Sequence, residues 1–408
     1  AAGWRISQEH FMEDSQEWLS SLKIRASYGS LGNNAAENNY MYQSLYAPTN
    51  YVLGNTVTGG FSQTVLSNGN LTWEKTYVTN VGVDYGFFNN RLSGSLEWFN
   101  RDTKGILISL PAPLEHGTAV VPDQNAGEVN NRGVDWEINW ADKIDKVSYS
   151  VGFNLGFVTN KVTKFMGDVS SISGVKKLEE GKPINQYYVL KVDRIVRDQA
   201  DMDYVQSLVD RNPNYFATYQ RPTLGDFLYA DTNNDGELNA DDRVEIGHGD
   251  IPRLTFGMNM GLTWNNFDFS LLLQGVGDYQ VYYNNQAFRF TTVLGQSLIK
   301  DITDNAWTPE NPYKSKYPLL RNNANDKNNM PSDAFIHNAA YLRCKNIRLG
   351  YTVPRQISQK FFVENLKVYT SIDNLFTITS FPGLDPEIAA TVGYPAVRQY
   401  SVGLNVSF

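Results

Sequence analysis

Cysteine is almost missing from this chain: Cys344 is the only one in 408 residues, which excludes an intrachain disulfide and a thiolate metal cluster. No apolar run approaches the roughly 18 residues that a spanning helix needs. With 41% hydrophobic residues and a negative mean hydropathy, a helical membrane protein is excluded. Basic charge is not in excess either. The formal net charge of −8, with acids spread along the chain, argues against a nucleic-acid partner. Histidine is sparse: His10, His116, His248 and His337 are scattered, with no H-E-x-x-H and no second ligand at metal spacing. There is no G-x-S-x-G, no G-x-G-x-x-G and no phosphate loop, since Gly181-Lys182-Pro183 lacks both the upstream Gly and the Ser/Thr. These absences point away from an enzyme. The chain opens at Ala1-Ala2-Gly3-Trp4 without a basic segment followed by an apolar one, so no secretory leader is visible.

What the sequence does have is period-two alternation. In Tyr77–Asn100, Val81, Val83, Tyr85 and Phe87 alternate with Asn80, Gly82, Asp84 and Gly86; after Asn89-Asn90, Leu92, Leu96 and Trp98 alternate with Ser93, Ser95 and Glu97. Two such runs joined by Asn, which tolerates positive φ, predict a tight hairpin. The unit recurs. Leu22–Tyr28 gives an earlier strand, Val134–Trp140 pairs with Val147–Phe157, and Leu254–Trp264 pairs with Phe267–Leu273 across Asn265-Asn266. Tyr341–Tyr351, Leu366–Asn374 and Tyr400–Phe408 follow. Such a pattern fits a soluble sandwich, whose apolar face packs on a second sheet, or a transmembrane barrel, whose apolar face meets lipid.

The connections decide between them. Long and short ones alternate strictly along about ten strands, so in an up-and-down meander all long loops lie at one end and all tight turns at the other. Outer-membrane barrels sort their loops in this way, with short periplasmic turns and long extracellular loops. Phe87, Phe88, Trp140, Trp264, Phe267, Phe361 and Phe362 flank the short turns, as an aromatic girdle at the headgroups would. The expected fold is all-β: an antiparallel up-and-down transmembrane β-barrel. Residues 1–21 read as a lead-in and 22–408 as barrel, with large extracellular insertions at about 160–252 and 278–340. An open sheet edge cannot face hydrocarbon, so about ten strands are expected to be the C-terminal part of a larger barrel.

The runs LTWEKTYVTNVGVDYGFFNNRLSGSLEWFNRDTKGIL, GDFLYADTNNDGELNADDRVEIGHGDIPRLTFGMN, AWTPENP with YPLL, YLRCKNIRLGYTVP, LKVYTSIDNLF, and GLDPE with GYPAVRQYSVGLNVSF resemble the C-terminal barrel region of SusC/RagA-type TonB-dependent outer-membrane transporters of Bacteroidetes. The resemblance covers nearly everything from Leu22 to Phe408. It implies a barrel of about 22 strands, preceded in the complete protein by an extension, a TonB box and a plug. It further implies bacterial outer-membrane localisation, import of glycan or peptide oligomers driven through the TonB system, and a SusD-like surface lipoprotein over the mouth. Tyr400, Val402, Leu404, Val406 and Phe408 resemble the C-terminal signal read by the barrel assembly machinery. A lipid-facing last strand accounts for the same residues.

Two constellations are candidate sites. In Asp231-Thr-Asn-Asn-Asp-Gly-Glu-Leu-Asn-Ala-Asp-Asp242, Asp231, Asn233, Asp235, Glu237 (through its carbonyl), Asn239 and Asp242 occupy positions 1, 3, 5, 7, 9 and 12 of a calcium loop, with Gly236 at the bend. The closing residue is Asp where Glu is usual, and no amphipathic helix precedes the loop. The expectation is a structural Ca²⁺; the alternative is an Asn/Asp-rich turn held by its own side chains. Tyr40, Tyr42, Tyr46 and Tyr51, Tyr187 and Tyr188, and Tyr279, Tyr282, Tyr283 and Asn285 could stack on and hydrogen-bond a substrate, or simply pack the loops. Two other functions stay open at this point: a passive porin-like channel, and a soluble calcium-dependent adhesin or lectin.

Overall fold

The computed structural model describes residues 1–34, 42–108, 119–166, 171–285, 288–291, 297–322, 327–388 and 393–408. These fall into two compact units: residues 1–138 with 157–170 and 179–184, and residues 139–156 with 171–178 and 185–408.

The first unit contains β1 (Ala2–Arg5), β2 (Leu19–Asn33), β3 (Leu45–Leu53), β4 (Thr56–Val65), β5 (Glu74–Phe87), β6 (Leu92–Ile108) and most of β7 (Gln124–Ile144). Its sheet runs in the order β1-β2-β5-β6-β7, and the first three pairings are antiparallel. Register follows the alternation: Val81 faces Trp98 and Val83 faces Leu96, while Gly82 faces Glu97 and Asp84 faces Ser95. Phe88, Asn89 and Asn90 make the turn, all at positive φ (54°, 59°, 59°), which Asn accepts at little cost. Strands of 14 and 17 residues (β5, β6) exceed the roughly 9–11 that a tilted strand needs to cross a bilayer.

Two features differ from the sequence reading. Ala2–Arg5, placed there in a lead-in, is a strand paired with Lys23–Ala26, and β2 already starts at Leu19. Four residues are too few for periodicity to register. The long connection after β2 also holds a two-stranded ribbon, β3–β4, turned by Gly54 at φ 64° and Asn55.

The second unit holds the start of β8 (Val147–Phe165), then β9 (Ser171–Ser173), β10 (Lys176–Leu178), β11 (Gln186–Leu190), β12 (Val192–Ile195), α1 (Gln199–Arg211), β13 (Phe227–Tyr229) and β14 (Arg243–Ile246). It continues with β15 (Leu254–Trp264), β16 (Phe267–Gly277), β17 (Gln280–Tyr282), α2 (Lys300–Asn305), β18 (Ile336–Asn338), β19 (Tyr341–Thr352), α3 (Arg355–Ser358), β20 (Asn365–Asp373), β21 (Thr377–Thr379) and β22 (Gln399–Ser407). Its large sheet runs β8-β15-β16-β19-β20-β22. The turn Asn265-Asn266 joins β15 to β16 as the alternation predicts, with Asn265 at φ 50°.

The first insertion begins after Phe165 and carries a small sheet, β14-β11-β10-β9, and the pair β12–β13. Helix α1 starts where Asp198 caps the Asp201 N–H and ends before Pro213, with Arg211 in its last turn. Val205 and Leu208 fix its buried face.

The hydrophobic core lies in the insertions. Leu190, Val205, Tyr215, Phe227, Tyr229, Val281, Phe288, Phe290, Trp307, Tyr317, Phe335 and Phe381 pack together. Phe288, Phe290 and Phe335 have no exposed surface, and their rings meet at 5.2–6.4 Å, within the usual range for aromatic pairs.

Candidate functional site

The faces of the large strands carry the first functional information. On β22, Val402 is 81% exposed and Phe408, just past the strand, 89%, whereas Ser401 and Gly403, on either side of Val402, are partly covered. Leu349, Val368, Leu262, Trp264 and Phe267 also expose large apolar surface. In the first unit Ile24, Val81, Leu96, Trp98 and Trp136 do the same. Val83, Phe153 and Met260 are half-buried and Leu404 is exposed. Near the short turns Phe88, Trp264, Phe267 and Phe362 are exposed, while Phe87 and Trp140 are half-buried; the Phe361 side chain lies outside the described set.

The opposite face is polar and paired. Arg25 bonds Asp84 at 3.1 Å and also Glu97, and Asn130 reaches both Asn100 and Asp102 at 2.6 Å. In the second unit Lys367 pairs with Asp268 at 2.7 Å, Asn346 with Asp373 at 2.7 Å, and the Arg348 guanidinium lies 4.1 Å over the Tyr369 ring. Charges satisfied on one face beside bare apolar groups on the other is the reverse of a soluble sheet's arrangement.

Two charge clusters staple the loop region. Asp226, fully buried, accepts from Arg321 (2.8 and 2.9 Å), from Asn328 (3.1 Å) and from the Thr223 N–H and hydroxyl (2.8 Å each), and pairs with Lys327 at 2.8 Å. Burial alone would push its carboxyl up, but the bonds from Lys327, Thr223 and Arg321 outweigh that and hold it below the usual carboxylate range. Arg343, on β19, meets Asp385 at 2.6 Å and Glu387 at 2.8 Å, and Lys345 also bonds Glu387. Neither cluster is legible in the sequence: apart from Thr223, the partners stand 42 to 102 residues apart, and no spacing rule links them.

The aromatic candidates divide. Tyr40 lies outside the described residues. Tyr42, Tyr46 and Tyr51 are exposed. Tyr187 and Tyr283 are buried and take the packing alternative: the Tyr187 hydroxyl donates to the Gln280 carbonyl (3.3 Å) and accepts the Tyr282 N–H (3.0 Å), and burial pushes its phenol up. Tyr283 packs on Phe288 and Phe381. Tyr279 and Tyr282 are half-buried, Tyr188 lies under the Lys177 ammonium, and Asn285 accepts the Phe288 N–H. The tyrosines are therefore not one surface.

In the loop 231–242, Gly236 (φ 81°) and Asn234 (φ 60°) make the bend. Asp231 accepts the Gly236 N–H at 3.0 Å, Asn233 accepts the Asp235 N–H, Asp235 accepts the Glu237 N–H, and Asp242 accepts from Thr232 and Asn239. Asn239 and Asp242 form a capping box at the following short helical turn. Among the described residues no three His, Cys, Asp or Glu side chains converge as a metal site. One Asp231 oxygen, Oδ1, is closed to solvent and has no hydrogen-bond partner. The loop, α1 and β12–β13 together border an open cavity of about 670 Å³, lined by Tyr204, Arg211, Tyr215, Asp231, Asp235 and Gly236, among others.

Residues 2–375 match the TonB dependent receptor-like beta-barrel family. The chain is 28% identical to the TonB-dependent receptor SusC of Bacteroides thetaiotaomicron, over 100% of this chain and 39% of that protein. It is also 28% identical to the TonB-dependent receptor P3 of Formosa agariphila, over 100% of this chain and 41% of that protein. Among solved structures it is similar to the RagAB peptide transporter, with a TM-score of 0.76 and 25% identity over 100% of this chain and 43% of that one. The RagAB peptide importer in its open-open state gives a TM-score of 0.78 at 25% identity, over 100% and 42% of the two chains. The chain thus spans about two fifths of the length of the curated relatives it matches. Its alternating strands, long loops and ordered motifs agree with these matches: the chain belongs to the TonB-dependent receptor β-barrel family, as a barrel region of the SusC/RagA type.

Proposed function

We propose that the chain is the C-terminal barrel portion of an outer-membrane importer that takes up oligomeric glycans or peptides with energy delivered through TonB. The observation that carries this reading is the inversion of the sheet: apolar side chains such as Val402 and Leu404 stand open, polar ones pair on the other face, and the packed core sits in the loops. Lipid is the medium that makes such a surface stable. The tight turns then face the periplasm, and the insertions face outward under a SusD-like lipoprotein. Tyr400, Val402, Leu404, Val406 and Phe408 present an apolar edge to the assembly machinery. The proposed role is transport without covalent chemistry.

The test is uptake of labelled oligomers by cells carrying the full-length protein, with and without a protonophore. Uptake that collapses with the proton-motive force supports the importer; uptake that persists identifies a passive pore. Release from membranes by chelator alone, without detergent, would instead mark the adhesin.

We propose further that the loop 231–242 takes Ca²⁺ as a structural ion, held by Asp231, Asn233, Asp235, the Glu237 carbonyl, Asn239 and Asp242. The partnerless, buried Asp231 oxygen supports this, since a buried acceptor left without a donor costs roughly 1–3 kcal/mol. Calorimetry should show calcium binding that Asp231→Ala and Asp235→Ala abolish. Equal binding by the variants removes the site.

A further inference from the structure

We propose that Lys75 and Lys104, opposite each other at the end of β5 and β6 away from their tight turn, bind the phosphate of a phosphomonoester lipid in the leaflet beside the long connections. The inference rests on the barrel reading and goes beyond it by naming a lipid class and the residues that select it. Lys75 is the register partner of Lys104, and both are exposed. Like charges directly opposite destabilise a sheet. An anion held between the two ammoniums turns that repulsion into attraction.

The flanking acids are already engaged. Glu74 accepts the Asn33 amide at 3.1 Å on one oxygen and the Leu107 N–H at 3.0 Å on the other. Asp102 likewise accepts the Asn100 amide at 2.8 Å and the Asn130 amide at 2.6 Å, one on each oxygen. Among the described residues neither lysine has a carboxylate partner. Lys104 stands instead 5.9 Å over the Tyr77 ring, which holds its ammonium beside the strand.

Height along the strand puts the pair at a headgroup. Lys75, Tyr77, Val81 and Val83 share one face of β5, on which Trp98 and Leu96 of β6 oppose the two valines. From Phe87 at the tight turn to Tyr77 the strand advances ten residues, about 34 Å at a rise of roughly 3.4 Å. A tilt of about 40° projects this to about 26 Å, the height of the apolar band of an outer-membrane barrel. Lys75 then stands about 5 Å above that band, at the level of lipid phosphates. Trp73, 64% exposed, lies there too: its ring would be 3.1 Å from a Cβ added to Gly32, the β2 partner of Lys75. Aromatic rings beside cations suit a molecule with an acyl body and an anionic head. A phosphomonoester brings nearly two negative charges and three acceptor oxygens, enough for both ammoniums. Inorganic phosphate has the same oxygens but nothing to lay on the apolar face.

The test is native mass spectrometry of the full-length protein purified in detergent. It is titrated with monophosphoryl lipid A, with the same lipid after removal of its phosphate, and with inorganic phosphate. The phosphorylated lipid should bind at least tenfold more tightly than the phosphate-free one, and the double variant Lys75→Gln, Lys104→Gln should lose that preference. Lys75→Arg with Lys104→Arg should keep it, as should Lys23→Gln, whose ammonium meets Asp84 on the other face of the same sheet. Unchanged hydrogen exchange in β5 and β6 checks that the variants fold. The proposal is overturned if the Gln variant keeps the preference, or if inorganic phosphate binds as tightly as the lipid, which makes the free anion the ligand. Equal binding of the two lipids sinks this inference alone, whereas binding of neither lipid sinks the barrel reading with it.

Discussion

Replacing Asp226 should loosen the loop region without disturbing the strands. Its carboxylate is fully buried and is shared by Lys327, 11% exposed, and Arg321, 31% exposed. Asp226→Ala leaves two cations facing a space without an anion, and breaking one side of a buried ion pair costs about 3–5 kcal/mol. Each 1.4 kcal/mol is roughly a tenfold change in an opening equilibrium. Backbone amides around Val196, Gly225–Phe227 and Leu319, which bond one another, should therefore exchange roughly 10²–10⁴ times faster, because sub-global opening sets their protection. Global melting would miss the effect, so the assay is residue-resolved hydrogen exchange on the detergent-solubilised protein, with β15 and β16 as internal controls. The acidic limb has a defined sign. A carboxylate held below its unfolded value adds stability above about pH 4 and gives it up as pH falls through the folded value. Unchanged protection in Asp226→Ala, or loss spread equally into β15 and β16, would refute the staple.

His337 titrates with the opposite chemistry. It lies against Phe288 at 4.4 Å between ring centroids, and burial, with a smaller push from Lys316, lowers its pKa to about 4. The unfolded chain takes up a proton near pH 6.5 that the folded imidazole refuses, so loop-region stability should fall between about pH 6.5 and 4. His337→Phe should flatten that limb in hydrogen exchange, and an unaltered pH profile would contradict it. Gly94 and Gly133 sit where strands press together: an added Cβ would stand 2.1 Å from the Glu137 carbonyl oxygen and 2.2 Å from that of Phe157, respectively. Gly94→Ala and Gly133→Ala should each destabilise the sheet by about 1–3 kcal/mol, measured by denaturant unfolding in detergent, and parental midpoints for both would show that the strands are not this close.

Much of the sheet could be read from alternation alone. Val81–Phe87 against Leu92–Trp98, and Leu254–Trp264 against Phe267–Leu273, pair in the register the pattern implies, because period two and an Asn turn are local signals. The β3–β4 ribbon escaped because Thr56–Gly60 mixes Thr, Val and Gly without a clean apolar face. The fate of the tyrosines was illegible for a different reason. Tyr187 is buried by groups 93 and 95 residues away, and composition cannot say which ring a distant segment will cover. The same holds for Asp226 with Lys327 and for Arg343 with Asp385, where each residue alone looks like an ordinary surface charge. The cavity beside α1 likewise exists only once the insertion has folded.

The central claim is that alternate side chains of the strands meet acyl chains. It is tested most directly by nitroxide labels placed singly at residues 399–407 of the bilayer-reconstituted protein, with the buried Cys344 replaced by Ala. Labels at 400, 402, 404 and 406 should be relaxed by oxygen and shielded from a nickel chelate, and those at 401, 403, 405 and 407 the reverse. Uniform accessibility, or the opposite phase, would contradict the account.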